Sequence, residues 1–266
     1  MNKPFINLTI TLVITFLITS VAHAGLIIKD DFEQGSWKSL WGEKTRMSIS
    51  NAMPKDGAYA ARFQFQASPS GSDSFSELRF DLGNYYDELS IKFDLYIPSN
   101  YFHRRESPNN NKFFRLWSNT YNDSEKVGAS TLSQDSNGNS RIAAENESPV
   151  TKGIEQYSVQ NNFITAADRG TWVNFVIYVK APTDSSNFIL KIYKNDNLIV
   201  DHTYDNNFVP GTQGYRYGYL MGWANAGYSE ETNFYLDNVE FYDNNIMDGQ
   251  SAVVKPMPPT SLVVTP

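Results

Sequence analysis

Cysteine is absent from the 266 residues, which excludes disulfides, thiolate metal sites and cysteine nucleophiles. Only three histidines are present, His23, His103 and His202. Charged residues are 19% of the chain, below the usual quarter. Acidic residues outnumber basic ones, 29 to 22, for a formal charge of −7. A nucleic-acid partner wants the opposite balance, so none is expected. Helical apolar stripes longer than about two turns are missing, and so are long apolar runs, with one exception at the start.

That exception is Ile6 to Val21, preceded by Lys3 and followed by Ala22-His23-Ala24. It reads as a signal peptide cleaved after Ala24, because a run of about 16 residues is short for a membrane span of about 20. The protein is therefore expected to be secreted or periplasmic, with no membrane attachment after cleavage. A chain of this size buries a core without disulfides. The expected division is residues 1–24 signal peptide, 25–243 one domain, and 244–266 a proline-rich tail or linker containing Lys255-Pro256-Met257-Pro258-Pro259. A monomer is expected.

What is abundant is aromatic residues, 14% of the chain, and period-2 alternation. Ile91, Phe93, Leu95 and Ile97 alternate with Ser90, Lys92, Asp94 and Tyr96; Val173, Phe175, Ile177 and Val179 alternate with Trp172, Asn174, Val176 and Tyr178. Leu78, Phe80 and Leu82 alternate with Glu77, Arg79 and Asp81. Phe188, Leu190 and Ile192 run through Lys194-Asn195-Asp196-Asn197 into Leu198-Ile199-Val200, a hairpin with Asn and Asp at its turn. Further strands are expected over 26–32, 46–50, 58–65, 112–118, 215–223 and 233–242. The polar segment 118–162 is read as long loops and edge strands, with weak strand signals at 127–132 and 141–144. Many strands without intervening helices make an all-β sandwich of two antiparallel sheets.

Placing the apolar sets inward collects the opposite faces. Glu77, Arg79, Lys92, Trp117, Tyr178, Tyr217 and Trp223 become candidates for substrate binding, since aromatic rings stack on sugars while charged groups reach hydroxyls and carboxylates. Phe114 and Leu116 inward would put Phe113, Arg115 and Trp117 outward. Tyr215, Tyr217, Tyr219, Met221 and Trp223 share one face by parity, either a groove lining or core. His103-Arg104-Arg105, Lys112 and Arg115 form a basic cluster in an acidic chain, either solvated loop charge or the groups that neutralise an anionic polysaccharide. Candidate catalytic residues are Arg115 and Lys112, to hold a carboxylate, and Tyr219 and His103, to move protons.

Several segments together resemble the concanavalin A-like jelly-roll superfamily, which includes laminarinases, legume lectins, alginate lyases and heparin lyase I. Asp30-Asp31-Phe32-Glu33 looks like its first strand, and Asn233-Phe234-Tyr235-Leu236-Asp237-Asn238-Val239 like its last, which pairs with the first. Gly170-Thr171-Trp172-Val173 and the hairpin after it are similar to the central strands. Ser76-Glu77-Leu78-Arg79 is similar to the R-S/T-E-L-R strand of jelly-roll alginate lyases, and Tyr219-Leu220-Met221-Gly222-Trp223 stands where their Y-F-K-A-G strand would be. Phe75 replaces the leading Arg, Met221 the Lys, and Asn225 a later Tyr; no His stands near Lys112–Trp117 for their Q-I-H strand. The laminarinase E-x-D-x-x-E pair is absent, so retaining glycoside hydrolysis is unsupported.

The resemblance implies a concanavalin A-like jelly roll, with three functions open: a polysaccharide lyase cleaving uronic-acid-containing glycans by β-elimination, a non-catalytic, lectin-like carbohydrate-binding domain, or a structural or surface-adhesion protein whose aromatic strands are all core. It also implies a structural Ca²⁺ near Asp31 and Asp237, against the plainer alternative that Asp237 accepts main-chain hydrogen bonds.

Overall fold

The protein is described from a computed structural model, covering residues 25–117, 126–147, 154–181, 188–204 and 214–248. Its strands are β1 (Leu26–Asp30), β2 (Trp41–Thr45), β3 (Met47–Ser50), β4 (Ala60–Phe65), β5 (Ser74–Tyr86), β6 (Glu88–Ile97), β7 (Asn110–Trp117), β8 (Lys126–Ser133), β9 (Ser140–Glu147), β10 (Ile154–Ile164), β11 (Thr171–Lys180), β12 (Phe188–Lys194), β13 (Asn197–Tyr204), β14 (Tyr215–Ala224) and β15 (Thr232–Tyr242). One sheet runs β13-β12-β11-β6-β15-β4-β3, with β1 added on β15; the other runs β10-β9-β8-β7-β14-β5-β2. Neighbours are antiparallel throughout. The expected all-β jelly-roll sandwich is the observed fold.

The first and last strands pair, Asp30 opposite Val239, as their sequences imply. The hairpin between β12 and β13 turns at Asn195 and Asp196, both at positive φ, the geometry that short hairpins require and that Asn and Asp tolerate. Between the sheets the alternating apolar sets meet. Phe113 packs edge-on against Phe163 and Phe175, with centroids 5.0 and 5.2 Å apart, and Phe93 closes the cluster at 6.1 Å from Phe113. Truncating such a buried ring costs about 3–5 kcal/mol.

Four expectations need correction. The segment read as loops and edge strands supplies β8, β9 and β10, three of the seven strands in the second sheet; the weak signals at 127–132 and 141–144 do fall in β8 and β9, but the segment is sheet, not mainly loop. Val127, Ala129, Ile142 and Ala144 are its inward residues, all fully buried, but two of the four are alanine, so their alternation is faint in sequence. Lys92 and Tyr178 lie on β6 and β11, on the outer face of the eight-stranded sheet. Lys92 reaches Glu240 (3.6 Å) and the Tyr178 hydroxyl donates to Glu88 (2.8 Å), so neither joins a groove on the other sheet. Phe113 points inward, because β7 shifts register against β8 between Lys112 and Phe114. Likewise β14 is not one continuous face: its register shifts between Tyr215 and Tyr217 and between Leu220 and Ala224. Tyr215 turns into the core against Phe188, and Met221, at φ 60°, points between the sheets.

Candidate active site

Alternation against the buried Leu78, Phe80, Phe114, Leu116 and Leu220 puts Glu77, Arg79, Arg115, Trp117, Tyr217 and Tyr219 on the outer face of the seven-stranded sheet. Their register is tighter than shared parity. Arg79 is the Cα partner of Tyr219, Tyr219 of Arg115, Arg115 of Gly128, and Gly128 of Glu145. One row therefore crosses β5, β14, β7, β8 and β9 with strands about 4.8 Å apart. Although it faces away from the inter-sheet core, the row is recessed: Arg115, Glu145 and Tyr219 are 3%, 2% and 7% exposed.

Arg115 is held on every side that the structure describes. Nη1 donates to the carbonyls of Phe114 (2.9 Å) and Ala129 (3.1 Å), Nη2 donates to Ser130 Oγ (3.2 Å), and Nη2 forms an ion pair with Glu145. Gly128 makes this reach possible. A Cβ there would lie 2.5 Å from Arg115 Nη1 and 2.7 Å from Cδ, so only glycine lets the guanidinium pass over β8 to β9. Lys112 Nζ stands 3.8 Å from the same Glu145 carboxylate. Glu145 is the residue that sequence reading missed, since it sits in the polar stretch taken for loop; Gly128 and Ser130, alternating with Val127 and Ala129, were the available signal.

On the other side of Tyr219, Arg79 Nε donates to Glu77 Oε1 at 2.5 Å and Nη1 lies 3.5 Å from Glu43. Burial pushes the Glu77 carboxyl above its ordinary range, against the opposing pull of Arg79. Gly222, at φ 133°, leaves the space that joins the two strands' side chains. A Cβ on it would lie 2.9 Å from Tyr219 Cε2 and 3.1 Å from Glu77 Oε2. The Tyr219 ring also packs on Trp117, centroids 5.3 Å apart. Tyr217 continues the face opposite Trp117 and Asp81. Arg216 lies over it at 4.8 Å and is held by both Asp81 oxygens, at 2.6 and 2.9 Å. In the register Tyr219 thus stands between Arg79 and Arg115, with Arg79 counter-charged by Glu77 and Arg115 and Lys112 by Glu145.

His103 is placed elsewhere. It is fully buried, with its ring nitrogens 3.1 Å from the Arg104 carbonyl and 3.2 Å from the Thr131 carbonyl. Burial pushes its pKa down more than the two carbonyls raise it. Arg104 is spread over the carbonyls of Ser68, Pro69 and Ala226, so the basic cluster seen in sequence divides between the row and the framework.

Residues 30–240 match the family described as Polysaccharide lyase. The chain belongs to the polysaccharide lyase family. No curated protein sequence matches it. Among solved structures, this lyase-family chain is similar to alginate lyase Aly36B. A variant of that enzyme in complex with alginate tetrasaccharide aligns with TM-score 0.55 and 13% identity over 76% of this chain and 85% of that one. A second variant, with alginate trisaccharide, gives 0.51 and 14% over 74% and 83%. The Aly36B enzyme structure gives 0.52 and 14% over 76% and 84%. At such identities the likeness speaks for the shared sandwich.

The Ca²⁺ expected from the resemblance meets a different donor set. Asp237 Oδ2 accepts the main-chain N–H groups of Lys55 (3.0 Å) and Asp56 (3.3 Å), and Oδ1 accepts that of Asn238 (2.8 Å). Asp94, its register partner on β6, is paired with Lys55 Nζ at 2.8 Å. Asp31 Oδ1 accepts the Glu33 N–H at 3.4 Å. Among the described residues, no three acidic or histidine side chains converge on one point. As arranged, the Asp237 carboxylate accepts three main-chain hydrogen bonds.

Proposed function

We propose that this protein cleaves uronic-acid-containing glycans by β-elimination on the outer face of the seven-stranded sheet. The observation that carries the reading is the row in which Tyr219 lies between Arg79 and Arg115, with Lys112 and Glu77 alongside. Elimination requires three things of a site: a cation against the uronate carboxylate, a base for the proton on the adjacent ring carbon, and a proton for the departing oxygen. Arg79 and Lys112 are assigned to the carboxylate. Tyr219, the hydroxyl-bearing side chain between the two arginines of the row, is assigned the base. The phenolate takes the C5 proton, the C4–O bond breaks as the C4–C5 double bond forms, and the same phenol returns the proton to the leaving oxygen. Arg115, engaged by β7, β8 and β9, is a positioning residue that holds Glu145 and the strands on which Tyr219 depends. His103 is assigned no step.

Trp117 and Tyr217 are assigned to the sugar rings, and the polysaccharide is anionic in this reading. The protein acts outside the cytoplasm as a monomer, released from the signal sequence at residues 1–24; amino-terminal sequencing of the exported protein is expected to begin at Gly25. The catalytic test is a panel of alginate, glucuronan, pectate and heparin, followed by the ultraviolet absorbance of the unsaturated uronate. One of these polymers is expected to give rising absorbance. Saturable binding with no absorbance change on any would overturn the lyase reading in favour of a lectin-like domain.

A further inference from the structure

Two aromatic side chains share the site's face but stand outside its charged row. Phe75 and Trp223 are Cα partners on β5 and β14, with ring centroids 4.7 Å apart and planes 35° from parallel. Phe75 keeps the parity of Glu77 and Arg79, so the pair continues the same face. Trp223 is 46% exposed, whereas Trp117 in the row is 6% exposed. Arg46, at the neighbouring strand end, donates Nη1 to the Phe75 carbonyl at 3.4 Å. Phe75 lies four positions from Arg79, about 13 Å along an extended strand, a span of a few sugar units.

We infer that Phe75 and Trp223 form a stacking subsite for an uncharged sugar ring, and that the substrate is a heteroglycan joining uronate to neutral sugar. Aromatic faces carry negative quadrupole density. They attract the C–H face of a pyranose and offer a carboxylate no partner of their own. The position where the resemblance puts an Arg, at the head of the Ser76–Arg79 strand, is occupied by Phe75 itself. Arg79 and Lys112 supply cations in the row, while Phe75 and Trp223 offer ring faces, with the Arg46 guanidinium on the Phe75 main chain. This inference rests on the lyase reading for the uronate, and on the ring pair alone for the neutral sugar.

The test is calorimetric binding of two oligosaccharides of equal length, one an oligoglucuronate and one alternating glucuronate with glucose, with unsaturated-product formation recorded in parallel. The wild type is expected to prefer the alternating oligosaccharide. Trp223→Ala is expected to bind it about tenfold more weakly, with oligoglucuronate unchanged and Trp223→Tyr restoring most of the loss. Equal losses on both oligosaccharides, no loss on either, or no binding of the alternating one would overturn the subsite. Selective loss on binding without any unsaturated product would keep the subsite and remove the lyase reading; product formation indifferent to Trp223 would do the reverse.

Discussion

Replacing Arg115 with Met tests whether this cation is framework or ligand-binding group. In the folded protein its guanidinium makes hydrogen bonds to Phe114, Ala129 and Ser130 and an ion pair with Glu145. The side chains of the pair are 4% and 2% exposed. Removing one partner of a buried pair costs about 3–5 kcal/mol, because the other charge stays buried. Lys112, 3.8 Å from Glu145, offsets part of this, so a loss of about 3 kcal/mol is expected. In a chain of this size that lowers Tm by roughly 6–12 °C. The double variant Arg115→Met/Glu145→Gln removes both charges and is expected to recover more than half of the loss. Urea unfolding of the wild type, both single variants and the double variant gives the coupling. A single variant as stable as wild type, or a double variant that loses the sum of the singles, would refute the framework role and return Arg115 to the substrate.

Three further outcomes are expected. Gly222→Ala forces an L side chain into φ 133° and against Tyr219 and Glu77; it should fold with a loss of about 1–3 kcal/mol and lower kcat/KM at least about 100-fold through displacement of the phenol, and wild-type kinetics would contradict the geometry. His103 has a pKa lowered from its ordinary 6.5 by burial, so the unfolded chain takes up its proton first: stability is full above about pH 6.5 and is lost as pH falls through the lowered value. Urea midpoints between about pH 8 and 5, on either side of the ordinary imidazole pKa, should show this slope and His103→Gln should flatten it; an unchanged slope assigns it to other groups. Excess EGTA should leave Tm unchanged in wild type and in Asp237→Asn, and a drop in wild type reversed by Ca²⁺ would show that the Asp237 carboxylate rearranges around a cation.

The sandwich was legible where both inward sets were large. Phe93 and Leu95 on β6, Phe175 and Ile177 on β11, and the Asn195-Asp196 turn announce their strands directly. β8 and β9 were faint because their inward residues are Val127, Ala129, Ile142 and Ala144 and their outward ones Gly128, Ser130 and Glu145, so hydrophobicity changes little from one residue to the next. Parity placed Arg79, Arg115 and Tyr219 on one face correctly because their stretches of β5, β7 and β14 are regular. It failed for Phe113, Tyr215 and Met221, each beside a register shift, where one extra residue reverses the side-chain direction. Parity also carries no label for which sheet a strand joins. Lys92 and Tyr178 were grouped with Arg79 for that reason, and strand order, set by long-range pairing, separates them.

The central claim is tested most directly by comparing wild type with Tyr219→Phe on whichever polyuronate or uronate-containing heteroglycan the wild type binds. Both proteins are measured for affinity and for the absorbance of unsaturated uronate. The phenol's ring packs on Trp117, so the substitution keeps the fold and the contact. The account predicts that wild type forms unsaturated product while Tyr219→Phe binds with similar affinity and turns over at least about 1,000-fold more slowly, the upper range for loss of a positioned acid–base group. Undiminished product formation by Tyr219→Phe would contradict it.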